Sequence, residues 1–192
     1  MRDEPETWPV HESRDVWRGP APFAVRNDLV SVPGRDERFW RLVVEHPGAA
    51  VVLAVDDDER ALVLRQYRHP PGMRFAELPA GLLDAGEDPL VAARRELLEE
   101  GALEASEWRH LNTMYTSPGI NSERIEIFLA RGLSDAPDRG GFELEHEEAD
   151  MTAEWVPVDE LVSGVLDRRL TDGPLALAVL TYDLLRNRAR LD

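Results

Sequence analysis

The sequence is most restrictive in what it lacks. Its 192 residues include no cysteine, which excludes disulfide bonds, thiolate metal sites and a cysteine nucleophile. It also has no uninterrupted apolar run of about 18 residues, the length that indicates a membrane-spanning helix. The first 15 residues are acidic and lack the apolar core of a signal peptide. Together these absences predict a cytoplasmic protein that does not associate with membranes.

Positive charge is also scarce. The chain has 22 basic and 38 acidic residues, giving a net charge of −16. Nonspecific nucleic-acid binding needs a basic surface, so nucleic acid is not an expected partner. An anionic small molecule would be repelled at long range, and its binding would need metal ions and a local cluster of arginines. The hydrophobic fraction of 43% is sufficient for the core of one domain, or of one domain with an extension.

Three carboxylates stand close together in a predicted helix. Glu96, Glu99 and Glu100 lie within five residues, and the spacings i, i+3 and i, i+4 place them on one helix face. Like charges this close destabilise the helix unless a cation neutralises them. Oxygen ligands of this kind suit Mg²⁺ or Mn²⁺, and such sites leave positions open for water and phosphate. The cluster therefore predicts a metal-dependent enzyme that acts on phosphate bonds.

Hydrophobic patterning and turn residues predict a mixed α+β fold. The helix that carries the carboxylates begins at Asp88, a good N-cap, with Pro89 in its first turn. Two further helices are expected over 159–165 and 175–190, and residues 1–15 are expected to be extended or poorly ordered. A mobile loop is expected over 134–150. Strands are predicted at 16–32 (a strand or hairpin), 39–45, 49–55, 61–67, 75–78, 108–115, 124–130 and 153–158.

The residues around the carboxylates match a known motif. Gly81, five residues, Glu87, seven residues, Arg95-Glu96-Leu97, one residue and Glu99-Glu100 resemble the Nudix box, the signature of the Nudix hydrolases. The resemblance implies the Nudix α/β/α sandwich with a mixed β-sheet. It also implies a Nudix domain over 46–192, preceded by an N-terminal β extension over 1–45.

One position departs from the motif. The family has a glycine one place after Gly101, where this chain has Ala102. That glycine ends the catalytic helix in a left-handed conformation, which is cheap only for glycine. We therefore expect either that Gly101 ends the helix one residue early or that Ala102 stays helical.

Several motifs flank the box. They are Gln66-Tyr67-Arg68, Glu77-Leu78-Pro79-Ala80-Gly81, Ser117-Pro118-Gly119, Glu123-Arg124 and Glu147-Glu148. These motifs resemble the ADP-ribose pyrophosphatase branch of the family. The resemblance implies hydrolysis of ADP-ribose to AMP and ribose 5-phosphate, by a homodimer that exchanges N-terminal strands. Alternatives are another nucleoside diphosphate sugar, a dinucleotide polyphosphate, coenzyme A or an oxidised nucleoside triphosphate as substrate, and a non-catalytic ADP-ribose sensor.

The resemblance also implies a set of metal ligands. Glu96 and Glu100 are expected to be the chief ligands of Mg²⁺ or Mn²⁺, with Glu99 ligating directly or through water. The backbone carbonyl of Ala80 would add another hard oxygen. Arg95 is expected to pair with a box carboxylate. Arg95 and Glu99 are both expected to be catalytic residues. Glu87 is expected to orient the metal shell or hold the box together.

Substrate contacts are expected outside the box. Arg68 would clamp the pyrophosphate, or would form only a surface salt bridge. Glu77 would accept a hydrogen bond from adenine or ribose, and Glu123 would lie near the metals or the terminal ribose. Trp40 is expected to stack on adenine. The alternatives for stacking are Phe39, Trp17 and Phe23.

The catalytic base is expected on the loop after the box. A glutamate there could take a proton from water that the metal acidifies. We favour Glu148, followed by Glu147, and Glu145 is a third candidate. The competing interpretation is that this acidic stretch is simply a solvated loop.

Overall fold

The computed structural model describes residues 1–136, 138 and 150–188. The chain divides into two compact units. The first comprises Met1–Pro47 and Tyr115–Arg124, and the second comprises Gly48–Met114 and Ile125–Asp192. Each unit is described by itself below.

The first unit is built on a three-stranded antiparallel sheet in the order β1-β2-β3. Its strands are β1 (Val10–Arg18), β2 (Ala24–Ser31) and β3 (Arg38–Glu45). The hairpin predicted over 16–32 is present, but its first strand begins at Val10, inside the stretch expected to be extended or poorly ordered. Among the described residues β1 pairs with β2 alone, and its side chains are largely exposed. Backbone pairing needs no apolar periodicity, so the sequence pattern did not indicate residues 10–15 of this strand.

The second unit contains two sheets. One has the order β7-β4-β9-β8 and the other the order β10-β5-β6. β4 pairs with β9 in parallel and with β7 antiparallel, which makes the first sheet mixed. The strands are β4 (Ala49–Ala54), β5 (Arg60–Arg68), β6 (Met73–Glu77), β7 (Ala80–Leu82), β8 (Leu103–Tyr115), β9 (Arg124–Asp135) and β10 (Thr152–Pro157).

Helices cover both faces of the sheets in the second unit. They are α1 (Pro89–Gly101), α2 (Val158–Leu166) and α3 (Gly173–Asn187). Successive side chains of a strand point to opposite faces, and β4 is buried along its whole length. Val51 and Leu53 pack in the core that includes α2 and α3, whereas Ala50 and Val52 pack in the core that includes α1. The predicted α+β fold, with a mixed sheet between helix layers, is confirmed.

Further differences from the predicted elements lie around β8, β9 and α3. β8 begins at Leu103 rather than residue 108, directly after the helix cap. β9 continues to Asp135, into the stretch predicted to be a loop over 134–150. α3 begins two residues earlier than predicted, because Asp172 caps it and a proline occupies its first turn. Over the described ranges, no helix is long and apolar enough to cross a membrane.

Candidate active site

Helix α1 positions the carboxylate cluster. The Asp88 side chain accepts a hydrogen bond from the backbone N–H of Leu90 at 2.9 Å, so the predicted N-cap is present. Ala92, Ala93 and Leu97 are fully buried against the sheet. This packing fixes the rotation of the helix about its axis and therefore the direction of its acidic side chains.

The end of α1 differs from both expectations. Ala102 itself takes the left-handed conformation, with φ 52° and ψ 39°, and its N–H donates to Leu97 O and Leu98 O. Gly101 does not form the cap, and Ala102 does not stay helical. A Cβ at Gly101 would lie only 2.9 Å from Leu62 and 3.3 Å from Leu97. The displaced glycine therefore provides space for packing, and the alanine carries the backbone strain.

Gly81 and Glu96 fit together at the centre of the site. Gly81 lies in β7, opposite Ala50 of β4. The Glu96 carboxylate occupies the space that a side chain at Gly81 would fill, and Glu96 is only 7% exposed. The glycine of the motif is thus needed because a carboxylate of the helix lies directly against the strand.

Glu100 is held by the same strand. Its Oε2 accepts a hydrogen bond of 2.8 Å from the backbone N–H of Ala80, and Glu100 is also 7% exposed. The residue whose carbonyl was predicted to bind metal therefore lies beside a predicted metal ligand. Glu96 and Glu100 meet β7 at adjacent positions.

Arg95 connects most of the box. Its guanidinium hydrogen-bonds Glu96, lies 3.3 Å from Glu99 and 3.1 Å from Glu87, and donates to Leu82 O at 3.1 Å. The hydrogen bonds with Glu87 are the main reason that the pKa of Arg95 is raised, and Arg95 in turn lowers the pKa of the Glu87 carboxyl. Glu87 also accepts from the Asp84 N–H at 3.0 Å, so it holds the start of the box together.

The donor chemistry of this cluster fits a hard divalent cation. Glu96, Glu99 and Glu100 offer only carboxylate oxygens, which Mg²⁺ and Mn²⁺ prefer. Within the described part of the chain, no three acidic or histidine side chains are already arranged as a ligand set. Arg95 instead supplies the positive charge for Glu96 and Glu99. A cation that binds here would have to compete with this guanidinium for the carboxylate oxygens.

Two predicted substrate contacts bind each other. Arg68, at the end of β5, and Glu77, at the end of β6, form a bidentate pair, with Nε to Oε1 at 3.0 Å and Nη2 to Oε2 at 2.7 Å. Glu77 is 8% exposed, and its hydrogen bonds raise the pKa of Arg68. The structure brings these residues together as a preformed pair rather than as two separate ligands.

Asp172 interacts electrostatically with both members of this pair and was missed from the sequence. It caps α3, where its Oδ1 accepts from the Leu175 N–H at 2.8 Å. Burial raises the pKa of Asp172 to about 6; the nearby Glu77 carboxylate adds to the rise, and Arg68 opposes it. Asp172-Gly173-Pro174 is recognisable as a helix start. Nothing in the sequence shows which carboxylate this helix start approaches.

The first unit contains the remaining described candidates. Trp40, on β3, is 38% exposed, and the Arg14 guanidinium lies 5.0 Å from its ring centroid. Glu123 accepts a hydrogen bond from the Thr116 hydroxyl at 2.6 Å and lies 3.3 Å from His46 Nε2. Neither the stacking role of Trp40 nor the role of Glu123 is tested by these contacts.

The candidates for the catalytic base lie outside the described residues. Glu145, Glu147 and Glu148 all fall in the stretch between Asp138 and Asp150. The choice of Glu148 over Glu147 therefore stays a prediction.

Comparison with known proteins finds a matching family model and similar proteins in other organisms. A family model described as "NUDIX domain" matches residues 44–176. An ADP-ribose pyrophosphatase of Mycobacterium tuberculosis is 44% identical over 159 residues, which cover 82% of this chain and 75% of that protein. An ADP-ribose pyrophosphatase of Bacillus subtilis is 36% identical over 139 residues, covering 72% and 74% respectively.

A solved structure has a similar fold. The crystal structure of an ADP compounds hydrolase superposes with a TM-score of 0.71, covering 99% of this chain and 100% of the other. The sequence identity is 20%, so this similarity supports the fold alone.

Proposed function

The chain belongs to the Nudix family, and from this premise we propose that it hydrolyses the pyrophosphate bond of ADP-ribose to AMP and ribose 5-phosphate. The observation that carries the proposal is the contact of the Glu96 carboxylate with Gly81, beside Glu100 on Ala80. This arrangement holds the box carboxylates against one strand. The substrate follows from the similarity to ADP-ribose pyrophosphatases over most of the chain.

The residues of the chain have distinct roles in this proposal. Glu96, Glu100, Glu99 and the Ala80 carbonyl would hold a divalent cation, which we propose to be Mg²⁺ or Mn²⁺. When bound, such a cation neutralises charge on the pyrophosphate and acidifies water. Arg95 keeps the carboxylates oriented in its absence.

The pair formed by Arg68 and Glu77 provides a rigid guanidinium for the pyrophosphate. Because Glu77 fixes Arg68 in a bidentate geometry, the arginine loses little further freedom when it binds an anion. Glu148, or Glu147 in its place, would remove the proton from the attacking water.

The assembly of the protein is part of the same proposal. We propose that the protein is a homodimer whose subunits exchange their N-terminal strands, and that it is located in the cytoplasm. We also propose that residues 1–45 form a β extension and residues 46–192 the Nudix domain.

Hydrolysis of ADP-ribose tests the proposal directly. Purified protein is incubated with Mg²⁺ and ADP-ribose, and separately with GDP-mannose, UDP-glucose, a diadenosine polyphosphate or coenzyme A, and the products are separated by chromatography. We expect AMP and ribose 5-phosphate from ADP-ribose, and turnover of the other substrates at much lower rates. Preferential turnover of another substrate would keep the chemistry and replace ADP-ribose.

Two matched variants test whether turnover depends on a carboxylate of the box. Glu100→Gln keeps the shape of the side chain and removes the charge, and should abolish turnover. Glu104→Gln makes the same change at an exposed position just beyond the helix and should leave turnover unchanged. Binding of ADP-ribose without turnover of any substrate would instead support a sensor.

A further inference from the structure

A buried carboxylate outside the box has no role in the proposed mechanism. Glu126, in β9, is 4% exposed. Its Oε2 accepts a hydrogen bond from the Thr113 hydroxyl at 2.6 Å and lies 2.7 Å from His110 Nε2. Burying a carboxylate is costly unless hydrogen bonds compensate, so these two partners on β8 keep Glu126 in place.

The Glu126 carboxylate in turn fixes the imidazole of His110. The ring of Phe128 packs against this imidazole edge-on, with centroids 5.4 Å apart and planes at 71°. Since Nε2 faces a carboxylate, we assign the proton of the neutral ring to Nε2. The His110 side chain is nevertheless 49% exposed, and its ring hydrogen bonds to the described residues are made through Nε2 rather than Nδ1. An exposed imidazole is thus held in one orientation.

Strand register places this group on the same face of the sheet as the box. Ala50 of β4 lies opposite Gly81 on one side and opposite Glu126 on the other. Residues opposite one another share a face, so Glu126 projects to the face on which Glu96 covers Gly81. With neighbouring strands about 4.8 Å apart, the Glu126 backbone lies about 10 Å from that of Gly81. His110 lies on β8, the next strand of the same sheet, and its side chain contacts Glu126.

We propose that His110 contacts the ribose 5-phosphate half of the substrate, with Glu126 as its positioning residue. The proposal rests on the proposed function, which places the pyrophosphate at the box. An imidazole Nδ1 can accept a hydrogen bond from a sugar hydroxyl or, when protonated, donate one to a phosphate. The neighbouring Phe128 is 8% exposed and already packed by His110, so this position suits polar sugar groups rather than adenine stacking.

Two substitutions separate a substrate contact from a purely structural role. In His110→Gln the amide can replace Nε2 and still donate to Glu126, but no atom replaces Nδ1. In His110→Asn the shorter amide lies near the position of Nδ1, while the contact with Glu126 is lost. His11→Gln is the matched control, because His11 Nε2 lies 2.9 Å from the Ser31 hydroxyl in the first unit.

The measurements are kcat and KM for ADP-ribose, inhibition by each product, and direct binding of ribose 5-phosphate by calorimetry with Mg²⁺ present. For His110→Gln we expect KM to rise, and ribose 5-phosphate affinity to fall, by about fivefold, roughly the effect of one hydrogen bond. Inhibition by AMP should not change. His110→Asn should recover part of the ribose 5-phosphate affinity, and His11→Gln should match the wild type.

The outcomes distinguish this inference from the proposed function. Wild-type turnover of ADP-ribose with unchanged KM and product affinities in His110→Gln would overturn the inference and leave the function intact. Equal loss of affinity for both products would also overturn it, because it would indicate a general disturbance of the fold. If the wild type does not hydrolyse ADP-ribose, the calorimetry still decides whether His110 binds ribose 5-phosphate.

Discussion

At the scale of single residues, Gly81 shows how the motif is enforced. The Glu96 carboxylate lies where a Cβ at this position would be. Gly81→Ala should therefore displace Glu96 and lower kcat by about 100-fold, the effect expected from misplacing a catalytic group by about 1 Å. Steady-state kinetics of the variant, measured beside its circular dichroism spectrum, checks this expectation.

A double-mutant cycle identifies the cause of that loss. If the added methyl group acts through Glu96, combining Gly81→Ala with Glu96→Gln should cost little more than Glu96→Gln alone. Fully additive losses would show that the glycine is needed for another reason.

Asp172 gives a prediction for pH dependence. Its folded pKa of about 6 lies above its ordinary value of 3.8, so between these pH values the folded protein binds more protons than the unfolded chain. Stability contributed by this group is therefore lost as the pH rises from about 4 to about 6. Asp172→Asn keeps a good N-cap and removes the charge. Its free energy of unfolding, relative to the wild type, should increase between pH 4 and pH 8 in urea titrations.

Asp172→Ala is the matched control for this pH dependence. It also lacks the charge, but it loses the hydrogen bond to Leu175, and should be about 1 kcal/mol less stable than Asp172→Asn at both pH values. A stability difference between Asp172→Asn and the wild type that does not change with pH would contradict the prediction.

At the scale of elements, the end of α1 carries strain that can be removed. Ala102 has a φ of 52°, a conformation that costs an ordinary residue roughly 1 kcal/mol. Ala102→Gly should therefore raise the free energy of unfolding by about 0.5–1 kcal/mol, with the gain limited by the greater freedom of glycine in the unfolded chain. Denaturant unfolding measures the change.

Gly101→Ala provides the opposite case in the same helix turn. Its methyl group would lie 2.9 Å from Leu62, so the variant should be destabilised by about 1–3 kcal/mol through overpacking. If Gly101→Ala were neutral and Ala102→Gly destabilising, the assignment of the two positions would be reversed.

The elements also show what a sequence can and cannot predict. The start of α1 and the buried strand β4 follow from a cap residue and an apolar run, which are local signals. The pairing of Arg68 with Glu77 and the position of Asp172 depend on how strands and helices are placed in space. No spacing along the chain encodes those contacts. The first six residues of β1 were missed for a related reason, because a strand with exposed side chains needs no apolar pattern.

At the scale of the whole molecule, the net charge of −16 predicts a salt effect. Repulsion among acidic residues destabilises the compact state. Raising sodium chloride from about 10 mM to about 150 mM shortens the screening length from about 30 Å to about 8 Å, and should raise the midpoint of thermal unfolding. Scanning calorimetry in sodium and potassium chloride should give equal shifts at equal ionic strength. A midpoint that falls with salt would show that attractive ion pairs dominate.

The side chains of β4 alternate between two faces, and the two faces differ in how closely they are linked to catalysis. Val51 and Leu53 face α2 and α3, whereas Ala50 and Val52 face the layer that carries the carboxylates. Val51 also lies opposite Ala80 of β7, so repacking it would move a residue of the site. A directed-evolution library restricted to Leu53 and its helical partners would therefore search for heat tolerance without repacking the layer of α1. A library on Ala50 and Val52 would alter catalysis and stability together.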